Sequence, residues 1–339
     1  MRLTLVLVAV VVASLPPPAP GASPPPTIQP GAGFEHLTTP NGVEVGIWFP
    51  AQGQVVTMPL GPNVQQVIPS AALPEGKHAL VVISHGTGGA YSGHADTAIA
   101  LAKAGFIVAA LTHPGDNWRD QSRVAMVEDR PRALSALIDM MLTIWKGAKA
   151  VDAGHIAAFG FSAGGFTVMA AAGARPDLST IARHCADHPT WFDCRLLASH
   201  PHAERPAWSW QGDRRIKALV VAAPALGFAF DRAGLASLSM PIQLWRADED
   251  EILPAPDYAD AVRAALPRAP EFHGVRKAGH FDFLMPCTSR DALPEICSSK
   301  FGFDRAAFHR AFNARIVRFL TKALYERKAG SDSAARASE

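Results

Sequence analysis

The stretch His155–Gly173, HIAAFGFSAGGFTVMAAAG, sets a short apolar run against a row of small residues, with a Gly-Phe-Ser-Ala-Gly turn between them. His155 to Phe159 reads as a buried strand and Phe166 to Ala172 as a helix. A plain glycine-rich turn has no need of a serine. Chance alone supplies Gly-x-Ser-x-Gly roughly 0.1 times in a chain of this composition, so the motif gains weight only from its context. Here that context is strand, sharp turn, helix. Glycines at 160 and 164 let strand and helix approach closely and lift Ser162 into the open. The helix start adds free amides and the positive end of its dipole, which favour negative charge nearby.

Outward from this turn the pattern repeats. ALVVI (Ala79–Ile83), FIVAAL (Phe106–Leu111), KALVVA (Lys217–Ala222), IQLW (Ile242–Trp245) and FHGV (Phe272–Val275) read as buried strands. Helical spacing over Asp96–Ala104, Arg132–Trp145 and Ala306–Tyr325 alternates with them. VEVGIWF (Val43–Phe49) reads as a strand of an N-terminal antiparallel edge. Such alternation predicts an α/β chain with a mostly parallel sheet covered by helices on both faces. One stretch, about 175 to 212, has no clear strand and is rich in proline, histidine and tryptophan. It reads as an insertion near the carboxyl ends of the strands, where ligands bind in such sheets, and so either as a lid or as a structural excursion.

The composition is that of a globular protein: 339 residues, 48% hydrophobic, with a net charge of +2. That balance points to neither nucleic acid nor an anionic membrane as partner. Arg2 followed by the apolar run Leu3–Leu15 and the prolines 16–18 reads as a signal peptide over 1–22. Residues 23–32 then form a flexible leader, 33–326 the folded domain and 327–339 a disordered tail. In an exported protein the cysteines, close in sequence as Cys185/Cys194 and Cys287/Cys297, read as two disulfides. A metal site using His184, His188 and Cys185 is the competing idea. No Cys-x-x-Cys occurs and the pairs lie far apart, so neither metal nor cofactor is expected.

A serine hydroxyl needs a base to act as a nucleophile. His280, in KAGHFDFL, follows the last predicted strand and is the best placed. The base needs an orienting carboxylate, and RADEDEILP after the Ile242–Trp245 strand offers Asp248, Glu249, Asp250 and Glu251. The order Ser, Asp, His is that of a hydrolase triad. The Asp-x-x-x-Pro spacing of Asp250 to Pro254 makes Asp250 the choice, with Asp248 second. For an oxyanion, the backbone N–H of Ala163 is one donor, and SHGTGG (Ser84–Gly89) supplies the other through the N–H of Thr87.

Together "VGIWFPA", "VVISHGTGG", "LTHPGDN", "GFSAGG", "ADEDEILP" and "AGHFDFLMPC" resemble the serine α/β-hydrolases. The likeness is greatest to the secreted dienelactone hydrolase-like branch related to the platelet-activating-factor acetylhydrolases. The resemblance runs from about residue 33 to 324. It implies an α/β-hydrolase fold and a serine esterase acting on small-molecule or lipid-like esters. Phospholipase-like or polyester-cleaving activity is the nearest alternative. An amidase or peptidase, or an idle binding protein on the same scaffold, lies further off. Dienelactone hydrolases proper use a cysteine where this chain has Ser162, so a general esterase is expected rather than a lactone hydrolase.

Overall fold

The apolar runs assemble into a single ten-stranded sheet among the described residues. The computed structural model describes residues 29–200 and 208–326, apart from positions 290, 292 and 301. In chain order the strands are β1 (Gln29–Thr38), β2 (Glu44–Gly53), β3 (Val56–Leu60), β4 (Asn63–Pro69) and β5 (His78–Ser84). They continue as β6 (Ile107–Leu111), β7 (Val151–Phe161), β8 (Ile216–Ala222), β9 (Ile242–Ala247) and β10 (Glu271–Val275). The helices are α1 (Ala95–Lys103), α2 (Asp129–Thr143), α3 (Ala163–Ala171), α4 (Thr180–Asp187), α5 (Phe192–Ala198), α6 (Ala259–Ala265), α7 (Pro294–Cys297) and α8 (Arg305–Thr321).

The spatial order is β10-β9-β8-β7-β5-β6-β2-β1-β4-β3. From β10 to β6 every neighbouring pair is parallel. Beyond β6 the sheet turns antiparallel through β2 and β1. Side chains alternate between the two faces of a strand, which explains the unbroken apolar runs. On β5, Leu80 and Val82 pack with Leu134 and Ile138 of α2 and Phe166 of α3. Val81 and Ile83 point the other way, towards Leu101 of α1 and Phe312 and Ile316 of α8. Each such side chain contributes about 1.5–3 kcal/mol by leaving water. A parallel sheet with an antiparallel N-terminal edge and helices on both faces is the α/β-hydrolase fold.

Two differences from the sequence reading have physical causes. β1 begins at Gln29, inside the segment 23–32 read as a flexible leader. Pro30 and Gly31 look loop-like, but pairing along the whole of β2, from Gln29↔Gly53 to Thr38↔Glu44, overrides that local tendency. The β3–β4 hairpin escapes the sequence pattern because Pro59, Gly61 and Pro62 interrupt it. As the edge strand, β3 tolerates a proline that a central strand would not. The insertion holds two short helices, α4 and α5, while its residues 201–207 lie outside the described set. The expected signal segment 1–22 and tail 327–339 also lie outside it. Among the described residues no helix is long and apolar enough to cross a membrane.

Candidate active site

Ser162 stands between β7 and α3 with φ 56° and ψ −121°. That conformation costs a residue with a side chain about 1–3 kcal/mol and persists only where the surroundings over-determine it. They do so here. The Ser162 N–H donates to the Ala222 carbonyl at 3.0 Å, and its own carbonyl accepts from Gly165 (2.8 Å) and Ala225 (3.0 Å). A Cβ at position 160 would fall on the Gly164 carbonyl, and one at 164 on the Ser84 carbonyl. Both glycines of the motif are therefore demanded by close packing.

The other candidate residues arrive at the same end of the sheet, each just after a parallel strand. His280 follows β10 and Asp250 follows β9. The His280 Nδ1 lies 2.8 Å from Asp250 Oδ2. The second oxygen of Asp250 accepts from the amides of Ile252 (3.0 Å) and Leu253 (2.8 Å), which fixes the carboxylate. Both side chains are buried, each 3% exposed. With Nδ1 donating to the carboxylate, Nε2 is left as an acceptor. Asp248 turns instead to Arg246, at 2.8 and 3.1 Å, and Glu251 to Lys300. The His280 ring packs 4.7 Å from Phe161, the residue before Ser162. No hydrogen bond joins the Ser162 hydroxyl to His280, whose side-chain bond goes to Asp250.

Thr87 and Ala163 line one cavity together with Ser162. Around Thr87 the neighbouring amides are occupied: Gly88 donates to Asp116 Oδ1 at 2.9 Å and Gly89 to the Gly86 carbonyl at 3.1 Å. The amides of Thr87 and Ala163 donate to no described residue.

Beneath this loop lies a buried polar network that sequence reasoning missed. Arg130 and Asp116 pair at 2.5 Å, almost wholly excluded from water. The Arg130 Nε donates to Thr167 Oγ1 at 2.9 Å, and Nη2 donates to the His85 carbonyl. His85 Nε2 accepts from the His113 amide at 2.9 Å, and its Nδ1 donates to the Gly86 carbonyl at 2.6 Å. Burial, and next the charge of Arg130, hold both imidazoles well below the ordinary histidine range, so both are neutral at neutral pH. The sequence reading starts this helix at Arg132, so the place of Arg130 in its first turn, where the dipole disfavours a cation, came only with the structure.

The cavity walls are mainly apolar, with Val124, Phe166 and Leu226 on the domain side and Phe192, Leu196 and Leu197 on α5. The insertion therefore reaches the site. Cys185 and Cys194 form a disulfide (2.01 Å) that ties α4 to α5. Asp193, beside it, lines the cavity and accepts from the Tyr258 hydroxyl at 2.8 Å. Burial pushes the Asp193 carboxyl up and the nearby His184 down. His184, Asp193 and Cys194 come within 4.8 Å of one another. The sulfur of Cys194 is bonded to Cys185, so the cluster lacks the thiolate that a metal would need. The second disulfide, Cys287–Cys297 (2.00 Å), lies in the segment after His280.

Among solved structures the chain is similar to the ferulic acid esterase from Streptomyces cinnamoneus. The TM-score is 0.56 at 18% identity, covering 89% of this chain and 92% of that one. At this identity the likeness establishes the shared fold. No protein-family model and no curated protein matches the chain. The resemblance to the dienelactone hydrolase-like branch thus rests on the quoted motifs.

Proposed function

We propose that the protein is an exported serine esterase that cleaves carboxylic esters through an acyl-enzyme. The observation that carries this reading is the strained Ser162, set in a cavity beside two undonated amides, with the His280–Asp250 pair packed against the adjoining Phe161. The Ser162 oxygen attacks the ester carbonyl as its proton passes to His280 Nε2. The oxyanion so formed accepts from the amides of Thr87 and Ala163. Collapse expels the alcohol, which takes the proton from His280. A water, deprotonated by the same imidazole, then releases the acid. Asp250 holds the tautomer and stabilises the imidazolium. The apolar walls suit the hydrocarbon part of an ester, and the esterase neighbour agrees with that substrate class. Two disulfides support export, since such bonds persist in oxidising compartments.

Ser162→Ala tests the reading. Turnover of a p-nitrophenyl ester should fall about 10⁴-fold or more, with the far-UV circular dichroism unchanged. A fluorophosphonate should label the unaltered chain and not the variant. Near-normal turnover by purified Ser162→Ala overturns the proposal.

A further inference from the structure

The two amides assigned to the oxyanion come from elements far apart in sequence, the loop after β5 and the first turn of α3. A single guanidinium connects to the backbone beside both, directly on one side and through one side chain on the other. Arg130 Nη2 grips the His85 carbonyl, two residues before Thr87. Its partner Asp116 grips the Gly88 amide, one residue after Thr87, at 2.9 Å. The third direction runs from Arg130 Nε to Thr167 Oγ1 (2.9 Å), whose hydroxyl donates to the Ala163 carbonyl at 2.7 Å. The loop is thus clamped on either side of one donor, and the same planar group ties down the residue that carries the other.

We infer that the Arg130–Asp116 pair is a positioning device that sets the Thr87 and Ala163 amides for the oxyanion. The inference rests on the esterase reading above. A guanidinium suits this task because its donors diverge in a fixed plane, whereas a lysine offers one flexible point charge. Burial strengthens the effect, since the bonds made by Arg130 and Thr167 lie in a low-dielectric interior where water does not compete, while the Asp116–Gly88 bond is part-buried. Both residues also line the Ser162 cavity, so the clamp lies directly under the reacting centre.

Arg130→Lys and Thr167→Val, made in the full chain, test this against a merely structural ion pair. Steady-state kinetics on p-nitrophenyl acetate are compared with inhibition by an alkyl trifluoromethyl ketone and by the corresponding secondary alcohol. The ketone adds the Ser162 oxygen to its carbonyl carbon, the serine proton passes to His280, and the resulting hemiketal carries an oxyanion. The alcohol binds without reacting. Arg130→Lys should lower kcat about 10²-fold with KM within about twofold, and weaken the ketone in proportion while leaving the alcohol unchanged. Thr167→Val, which keeps the ion pair, should show the same pattern at about tenfold. It carries the test if Arg130→Lys does not fold. Unchanged kcat in the folded variants, or equal weakening of ketone and alcohol, overturns the inference. An unaltered chain without Ser162-dependent turnover overturns the esterase reading itself. Ser162-dependent turnover that is indifferent to Arg130 and Thr167 overturns this inference alone.

Discussion

Two buried polar networks flank the candidate site, and they are built differently. The one around Arg130 grips backbone: the carbonyls of His85 and Gly86, the amides of Gly88 and His113, and through Thr167 the carbonyl of Ala163. The one behind His280 is organised by carboxylates. Asp282 Oδ2 accepts from the Gly279 amide at 2.8 Å, and Oδ1 accepts from Ser299 (2.5 Å) and Arg305 (3.0 Å). His309 bridges the Asp282 carbonyl and Asp96, at 3.0 and 2.6 Å. The Ser162 side is held mainly by backbone sterics, with a side-chain network beneath. The histidine side sits on a short turn, and side chains from α1 and α8 anchor it. Damage on the first side should therefore alter geometry at the reacting atoms. Damage on the second should first loosen a loop.

The largest effect should break the symmetry within the histidine side itself. Asp250→Asn should lower kcat about 10⁴-fold, because an amide presents the wrong group to the imidazole. Its oxygen can still accept from Ile252 and Leu253, so the fold should survive. Asp248→Asn, two residues away and paired with Arg246, should cost a few fold at most. The check is kcat for both on one short-chain ester, and a large loss at Asp248 with little at Asp250 would reverse the assignment.

Next comes the anchor behind the histidine. Asp282→Ala leaves the buried Arg305 without its carboxylate, and removal of one partner of a buried pair costs about 3–5 kcal/mol. The urea midpoint should drop accordingly. A midpoint within error of the unaltered chain would show that the network does not anchor the loop.

The two disulfides sharpen the comparison. Each closes a short loop, with sequence separations of 9 and 10, and each should contribute about 2–3 kcal/mol. Replacing Cys287 and Cys297 by alanine should lower kcat as well, because that bond braces the segment after His280. Replacing Cys185 and Cys194 should act chiefly on KM, because α5 lines the cavity. Mass mapping of non-reduced peptides, followed by kinetics of the two double variants, distinguishes these outcomes.

The smallest effect is a pH slope. The imidazole of His94 packs against Phe159 (4.9 Å) and Phe161 (5.5 Å), with the Asp96 carboxylate and the Phe283 backbone as its polar neighbours. Burial lowers its pKa to about 4. The unfolded chain takes up that proton near pH 6.5, so below there it binds more protons than the folded chain. Stability should fall as pH drops from 6.5 towards 4, with His94 contributing about 1.4 kcal/mol per pH unit. His94→Phe should flatten the slope by about that amount in urea melts at pH 7, 6 and 5. An unchanged slope would refute the assignment.

The sequence by itself determined the strand-turn-helix at Ser162, the mostly parallel character of the sheet and the position of each candidate residue at a strand end. These features are local: they depend on periodicity, on two glycines that packing requires and on the sequence of elements. β1 and the β3–β4 hairpin were hidden because their residues look like loop, and only pairing with neighbouring strands makes them sheet. Asp250 could be favoured over Asp248 on spacing, but the hydrogen bond to His280 belongs to the fold. Only the tertiary structure brought Arg130 under Thr87 and Asp96 against His309, the latter 213 residues apart in the chain. Such polar partners leave little trace in local pattern, because a buried charge is stabilised by whichever group the fold carries to it.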